Sequence, residues 1–119
     1  MKKTRDPVKK AQKESLLLRE ISQLFLEKAL EDPELKDLFI NRVSLSNDKS
    51  SCIVYFYSGL GKAEFERVFE HLKLYKPSMR KALASDIKGR YVPQIIFRYD
   101  DQLKKQLEIE NLIESVKSE

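Results

Sequence analysis

The chain has 119 residues, enough for one domain, and a balance of 41% hydrophobic to 35% charged residues makes a core depend on how the apolar residues are patterned. The single cysteine, Cys52, excludes an intramolecular disulfide and suits a reducing compartment. No apolar run approaches the roughly 20 residues that span a bilayer, and the charged start MKKTRDPVKKAQKE has no apolar stretch behind it, so the reading is a cytoplasmic protein with neither membrane span nor secretory signal.

Residues 8 to 31 read as a long helix, because Leu17, Leu18, Ile21, Leu24, Phe25 and Ala29 recur at three- and four-residue spacing. EDPEL ends it, since Asp32 precedes Pro33 and a pre-proline residue avoids the helical region. LFINRVSLS follows as a strand, with Val43 and Leu45 inward and Arg42, Ser44 and Ser46 outward. SNDKSS is turn chemistry, and SCIVYFYS, rich in β-branched and aromatic residues, pairs with the first strand as a hairpin. GLG reads as an ordinary strand-to-helix turn.

In KAEFERVFEHLKLY, the residues Phe65, Val68, Phe69 and Leu72 mark an amphipathic helix. Lys76 and Pro77 interrupt it: proline lacks an N–H and biases Lys76 away from the helical region, which leaves Ser78 as N-cap of the next helix. In that helix Met79, Ala82, Leu83 and Ile87 share a face, and Gly89 suits the C′ position. VPQIIFRYD is a third strand, apolar on both faces around Ile95, Ile96 and Phe97, and so is expected to be central or well covered. Ile109, Leu112, Ile113 and Val116 mark a short closing helix. The expected architecture is α+β: a three-stranded sheet covered on one face by helices, in the order α-β-β-α-α-β plus a C-terminal helix. This is the order of type II KH domains, a common RNA-binding module. Residues 1–7 are expected as a flexible basic tail, and 8–119 as one KH-like domain.

The charge is concentrated. Lys2, Lys3, Arg5, Lys9, Lys10 and Lys13 face Asp6 alone, and Lys73, Lys76, Arg80, Lys81, Lys88 and Arg90 face Asp86 alone, which leaves the rest of the chain net acidic. Either run by itself is a solvated face; the two together tip the balance toward a polyanion. On the third helix Lys81, Ala84, Ser85 and Lys88 lie opposite the apolar face with Arg80 at the flank, and small residues between the cations let a nucleic-acid backbone approach. The expected RNA contacts are Lys2, Lys3, Arg5, Lys9, Lys10, Lys73, Lys76, Arg80, Lys81, Ser85, Lys88 and Arg90. Arg80, Lys81 and Lys88, on or beside the solvent side, are expected to contribute little to folding. Tyr55 and Tyr57 point outward; wet hydroxyls on ordinary strand residues are the simpler reading, and stacking on unpaired bases the other.

Catalysis has almost no support. His71, the only histidine, reads as structural or solvated, Cys52 as a small inward hydrophobe, and one Cys with one His cannot make a zinc site. GLG lacks the context of a nucleotide loop. No enzyme activity, metal or cofactor is expected.

EDPEL, VSLSND followed by SCIVYFY, MRKALASDIKGRYVPQIIFRYDD and IENLIES, in this order and spacing, resemble the ribosome-binding factor A family of small bacterial assembly proteins. The resemblance implies a KH type II fold without enzymatic activity. It implies binding to the free small (30S) ribosomal subunit during late maturation of its 16S rRNA, near the 5′-terminal helix and the neck. It also implies a role in cold adaptation and GTPase-assisted release. The chain is expected to act as a monomer away from membranes. The family's usual Ala-x-Gly kink is replaced here by Tyr75, Lys76 and Pro77. The alternative is a KH-like adaptor that acts mainly through a protein partner.

Overall fold

The computed structural model describes residues 7–86 and 92–117. Helix α1 (Pro7–Glu31) is followed by a 3₁₀ turn (Pro33–Leu35), strands β1 (Phe39–Leu45) and β2 (Ser51–Tyr57), helices α2 (Lys62–Lys73) and α3 (Lys76–Asp86), strand β3 (Gln94–Tyr99) and helix α4 (Asp101–Lys117). The order is the one expected, and the fold is α+β. The expected N-terminal tail lies outside the described residues except for Pro7, which opens α1. Ile87 and Gly89, expected on the apolar face and at the C′ position of α3, also lie outside them.

The sheet has the order β1-β2-β3, with β1 antiparallel and β3 parallel to β2. Alternation along β2 turns Cys52, Val54 and Phe56 inward, each fully buried. Helices α1, α2 and α3 bury Leu17, Ile21, Val68, Leu72, Met79 and Leu83 in the same core. At its centre Phe56 meets the rings of Phe25 and Phe97 at 5.2 Å and Phe65 at 5.8 Å, so one side chain joins α1, α2 and β3. Cys52 is inward as expected, and burial pushes its thiol up to about 12.

Three expectations are corrected. β3 is an edge strand, and β2 is the central one. Only Ile95, Phe97 and Tyr99 of β3 are buried. Ile96 lies beside Ile53 across the parallel pair, on the face that α1, α2 and α3 leave uncovered. Next, Lys76 and Ser78 are both helical. The break falls at Leu74 and Tyr75, and the Tyr75 carbonyl accepts from the Met79 amide at 2.9 Å to open α3. Pro77 then sits in the first helical turn, where an absent N–H costs nothing. The Ser78 hydroxyl donates to the Tyr75 carbonyl at 3.1 Å instead of capping the helix with its oxygen. Finally, α4 is long rather than short, at 17 residues, and Ile109, Leu112 and Ile113 remain exposed rather than closing the core. Leu, Glu, Lys and Gln supply its local helix propensity.

Two turns position the rest. The hairpin turn is held by Asp48, whose Oδ1 accepts from the Ser50 hydroxyl at 2.7 Å, the Ser46 hydroxyl at 2.8 Å and the Ser50 amide at 3.0 Å. These bonds, Ser50 first, bring the Asp48 carboxyl down to about 2, and Lys49 beside it takes a left-handed φ of 63°. At the start of α2, Gly61 has φ 96°, a conformation that a side chain would strain.

Phe56→Ala should lower stability by about 3–5 kcal/mol, read as a shifted urea midpoint at unchanged slope. Pro77→Ala restores the donor that a merged helix would aim at the Lys73 carbonyl. Backbone chemical shifts should turn more helical between Lys73 and Pro77; unaltered shifts would assign the break to packing around Tyr75.

Candidate nucleic-acid interface

The direction of α3 is set at its first turn by a carboxylate from elsewhere in the chain. Asp32 stands before Pro33 in extended conformation, and its Oδ1 caps the 3₁₀ turn by accepting from the Glu34 amide at 3.1 Å. Its Oδ2 accepts from the Tyr75 hydroxyl and lies against His71 Nε2, both at 2.5 Å. Hydrogen bonds from Tyr75 first, then His71, hold the Asp32 carboxyl below its ordinary range against the upward push of burial. His71 is therefore structural. Tyr75 has its hydroxyl tied down and its ring edge-on to His71, so it is not a free stacking platform. Lys76 is half-buried, with Nζ 5.2 Å from the centre of the Phe97 ring.

The expected cations divide by environment. Lys9, Lys81 and Ser85 are exposed. Lys10 donates to the Asn47 side chain at 3.5 Å. Lys73 is paired with Glu70 at 3.2 Å and lies over the Phe69 ring. Arg80 is half-buried: its Nε donates to the Pro93 carbonyl at 3.3 Å and its Nη2 to the Val92 carbonyl at 3.0 Å. It braces the entry to β3, a structural duty beyond the one expected of it. Lys2, Lys3, Arg5, Lys88 and Arg90 lie outside the described residues.

Two of these groups meet through the hairpin. Lys10 reaches Asn47 in the turn, the Ser50 carbonyl accepts from the Gln94 amide at 2.9 Å, and the two residues before Gln94 receive Arg80. Glu14 fixes α1 to the same end by accepting from the Leu45 amide at 2.8 Å. The start of α1, the hairpin turn and the Arg80–Lys81 stretch of α3 thus share one end of the sheet. An open groove of about 400 Å³ there is lined by Pro77, Arg80, Lys81, Ala84 and Val92. Lys49, exposed at the tip of the turn, belongs to this end and was not among the expected contacts. The turn signal SNDKSS places a lysine at a loop tip, but nothing local says which helix termini the loop meets. Lys73 stands apart, at the end of α2.

Among the described residues, no group of three or more His, Cys, Asp or Glu side chains could hold a metal ion. No helix there is long and apolar enough to cross a membrane. The family model described as ribosome-binding factor A matches residues 9–113. The chain belongs to the ribosome-binding factor A family. It is 35% identical over 106 residues to the ribosome-binding factor A of Prochlorococcus marinus strain MIT 9301, covering 87% of this chain and 81% of that one. It is 33% identical over 105 residues to that of Syntrophomonas wolfei, covering 87% and 85%. The crystal structure of ribosome-binding factor A from Thermus thermophilus superposes with a TM-score of 0.64 at 29% identity, covering 76% of this chain and 93% of that one.

A carboxylate whose folded pKa is depressed adds stability that is complete above its ordinary value and is lost as pH falls through the folded one. Asp32→Asn should therefore reduce stability at neutral pH and flatten its decline below about pH 4. Urea unfolding across the acid range reads both effects; an unchanged acid limb would remove Asp32 from this role.

Proposed function

We propose that this chain is a non-enzymatic factor that binds the free small (30S) ribosomal subunit and assists late maturation of its 16S rRNA. Its RNA contacts, by family resemblance, lie near the 5′-terminal helix and the neck. It acts in the cytoplasm as a monomer, without a cofactor, and its role includes growth in the cold. Family membership supports this reading, and one geometric observation carries it. The contacts through Asn47, Ser50 and Gln94 bring the basic start of α1 and the basic stretch of α3 to one end of the molecule. Cations gathered on one end of an otherwise acidic chain make a site for a phosphate backbone and orient its approach.

Within that end, Lys9, Lys10, Lys81 and Ser85, joined by Lys49, are assigned to direct contact. Lys2, Lys3, Arg5, Lys88 and Arg90 extend the same two segments in sequence. Arg80 serves mainly by holding the entry to β3, and Lys73 and Lys76 contribute less because their ammonium groups are already engaged.

Lys9→Glu combined with Lys81→Glu should leave the melting temperature near normal, since both side chains are exposed. It should abolish co-sedimentation with free small subunits and rescue of a cold-sensitive strain that lacks the factor. In each single variant the lost phosphate contact should make the slope of log affinity against log salt shallower by up to about one. Lys105→Glu, exposed on α4, serves as the silent control. Normal binding by the double variant would move the RNA surface elsewhere. Recovery of a single protein partner without rRNA would favour the adaptor reading.

A further inference from the structure

The three helices that build the core pack on one face of the sheet, and among the described residues no helix covers the opposite face. Register places Arg42, Tyr55 and Arg98 in one row across β1, β2 and β3, with Ser44, Ile53 and Ile96 in the next. Ile53, Tyr55 and Ile96 are partly exposed and take no part in the core. None of the outward strand positions is acidic. The carboxylate that Arg42 engages, Asp100, is itself fully buried.

Arg42 is fixed rather than free. Its Nε and Nη2 donate to the two oxygens of Asp100 at 2.9 Å and 3.3 Å, and its guanidinium lies 3.7 Å from the centre of the Tyr55 ring. A guanidinium on an aromatic ring is the beginning of a stack, and both planes are surfaces on which unpaired bases stack. Arg98, on the other side of Tyr55, is exposed and has no ion pair or hydrogen bond among the described residues. The strand positions on this face therefore offer flat π surfaces, a fixed cation and a free cation, and none of them carries a carboxylate; the exposed Glu66 and Asp101 flank Arg98 from the sheet edge, and Asp101 is paired with Lys62.

We propose that the helix-free face of the sheet is a second RNA surface, which takes an unpaired segment by stacking a base on the Arg42–Tyr55 pair and holding an adjacent phosphate with Arg98. It rests on the RNA-binding reading above for the class of ligand, but it uses none of the residues at the hairpin end. A duplex keeps its bases stacked inside and gives this face nothing to stack on, so the surface selects single strands.

The test is fluorescence anisotropy with a labelled RNA of A and C only, which cannot pair with itself, about 12 nucleotides long, beside a duplex of equal length. The single strand should bind more tightly than the duplex. Tyr55→Ala should weaken it roughly tenfold while Tyr55→Phe, which keeps the ring, binds normally. Arg98→Gln should keep the melting temperature and lower the salt slope by about 0.7, the value for one contact to a single strand. Equal affinity for duplex and single strand, or unchanged binding and slope in Arg98→Gln, would overturn the proposal even if Tyr55→Ala fails to fold. The variant carrying Lys9→Glu and Lys81→Glu separates the two readings. If wild type and that variant both bind small subunits normally while Arg98→Gln loses the oligonucleotide, the sheet face stands and the hairpin end does not. If only the oligonucleotide results fail, the sheet face falls alone.

Discussion

Much of the molecule turns on where the Asp32 carboxylate sits. It caps the 3₁₀ turn that ends α1, and across 43 residues of chain it receives the Tyr75 hydroxyl, which stands at the break between α2 and α3. His71, at the end of α2, meets the same oxygen. The end of one helix, the end of a second and the start of a third are thus fixed to one side chain. The break between α2 and α3 leaves α3 free to take several directions; the pin selects one. From that direction Arg80 reaches the carbonyls of Val92 and Pro93, and the chain enters β3 beside β2. Moving the pin would move the exposed Lys81 and Ser85 as well.

Asp100 does for the sheet what Asp32 does for the helices. A buried charge is tolerated only when its lone pairs are met, and Asp100 receives Arg42, the Asn41 side chain at 2.8 Å and the Leu103 amide at 3.1 Å. Burial pushes the carboxyl up, but the bonds from Arg42, Asn41 and Leu103 outweigh it and hold the group below its ordinary range. Asn41 and Arg42 lie where the register of β1 against β2 shifts, so the carboxylate secures that irregularity. The Leu103 bond caps α4 at its start. The same contacts hold Arg42 against Tyr55. Removing the Asp100 charge alone would leave a half-buried guanidinium without its partner, a costlier change than losing the pair together.

Periodicity made the elements legible. Leu17, Ile21 and Phe25 on α1, and Cys52, Val54 and Phe56 on β2, are buried as their spacing predicts. The failures at Ile96 and Arg80 share a cause: each depended on a neighbour distant in sequence. Ile96 looked like a covered core residue because its companion, Ile53, is 43 positions away in the chain. Pro77 looked like the position of the break, yet Lys76 and Pro77 open α3 and the irregular residues, Leu74 and Tyr75, stand just before them. Arg80 looked like a surface cation, and no local pattern shows that two carbonyls wait for it. The candidate interface was half legible for the same reason. The two basic runs are plain in sequence; their meeting through the hairpin, and the place of Lys49 in it, are not.

Both anchors are buried or nearly so, whereas Lys9, Lys81 and Arg98 are exposed. Salt screens these two classes differently. Exposed charges lose their longer-range interactions at physiological ionic strength, while buried, hydrogen-bonded groups are affected far less. The scaffold that aims the cations is therefore insulated from the conditions that tune their grip. Affinity for a polyanion can rise and fall steeply with ionic environment while the fold stays fixed. Under the function proposed above, that separation suits a protein that binds RNA and then leaves it: the exposed cations answer to salt, while the carboxylates that hold the fold are buried and hydrogen-bonded.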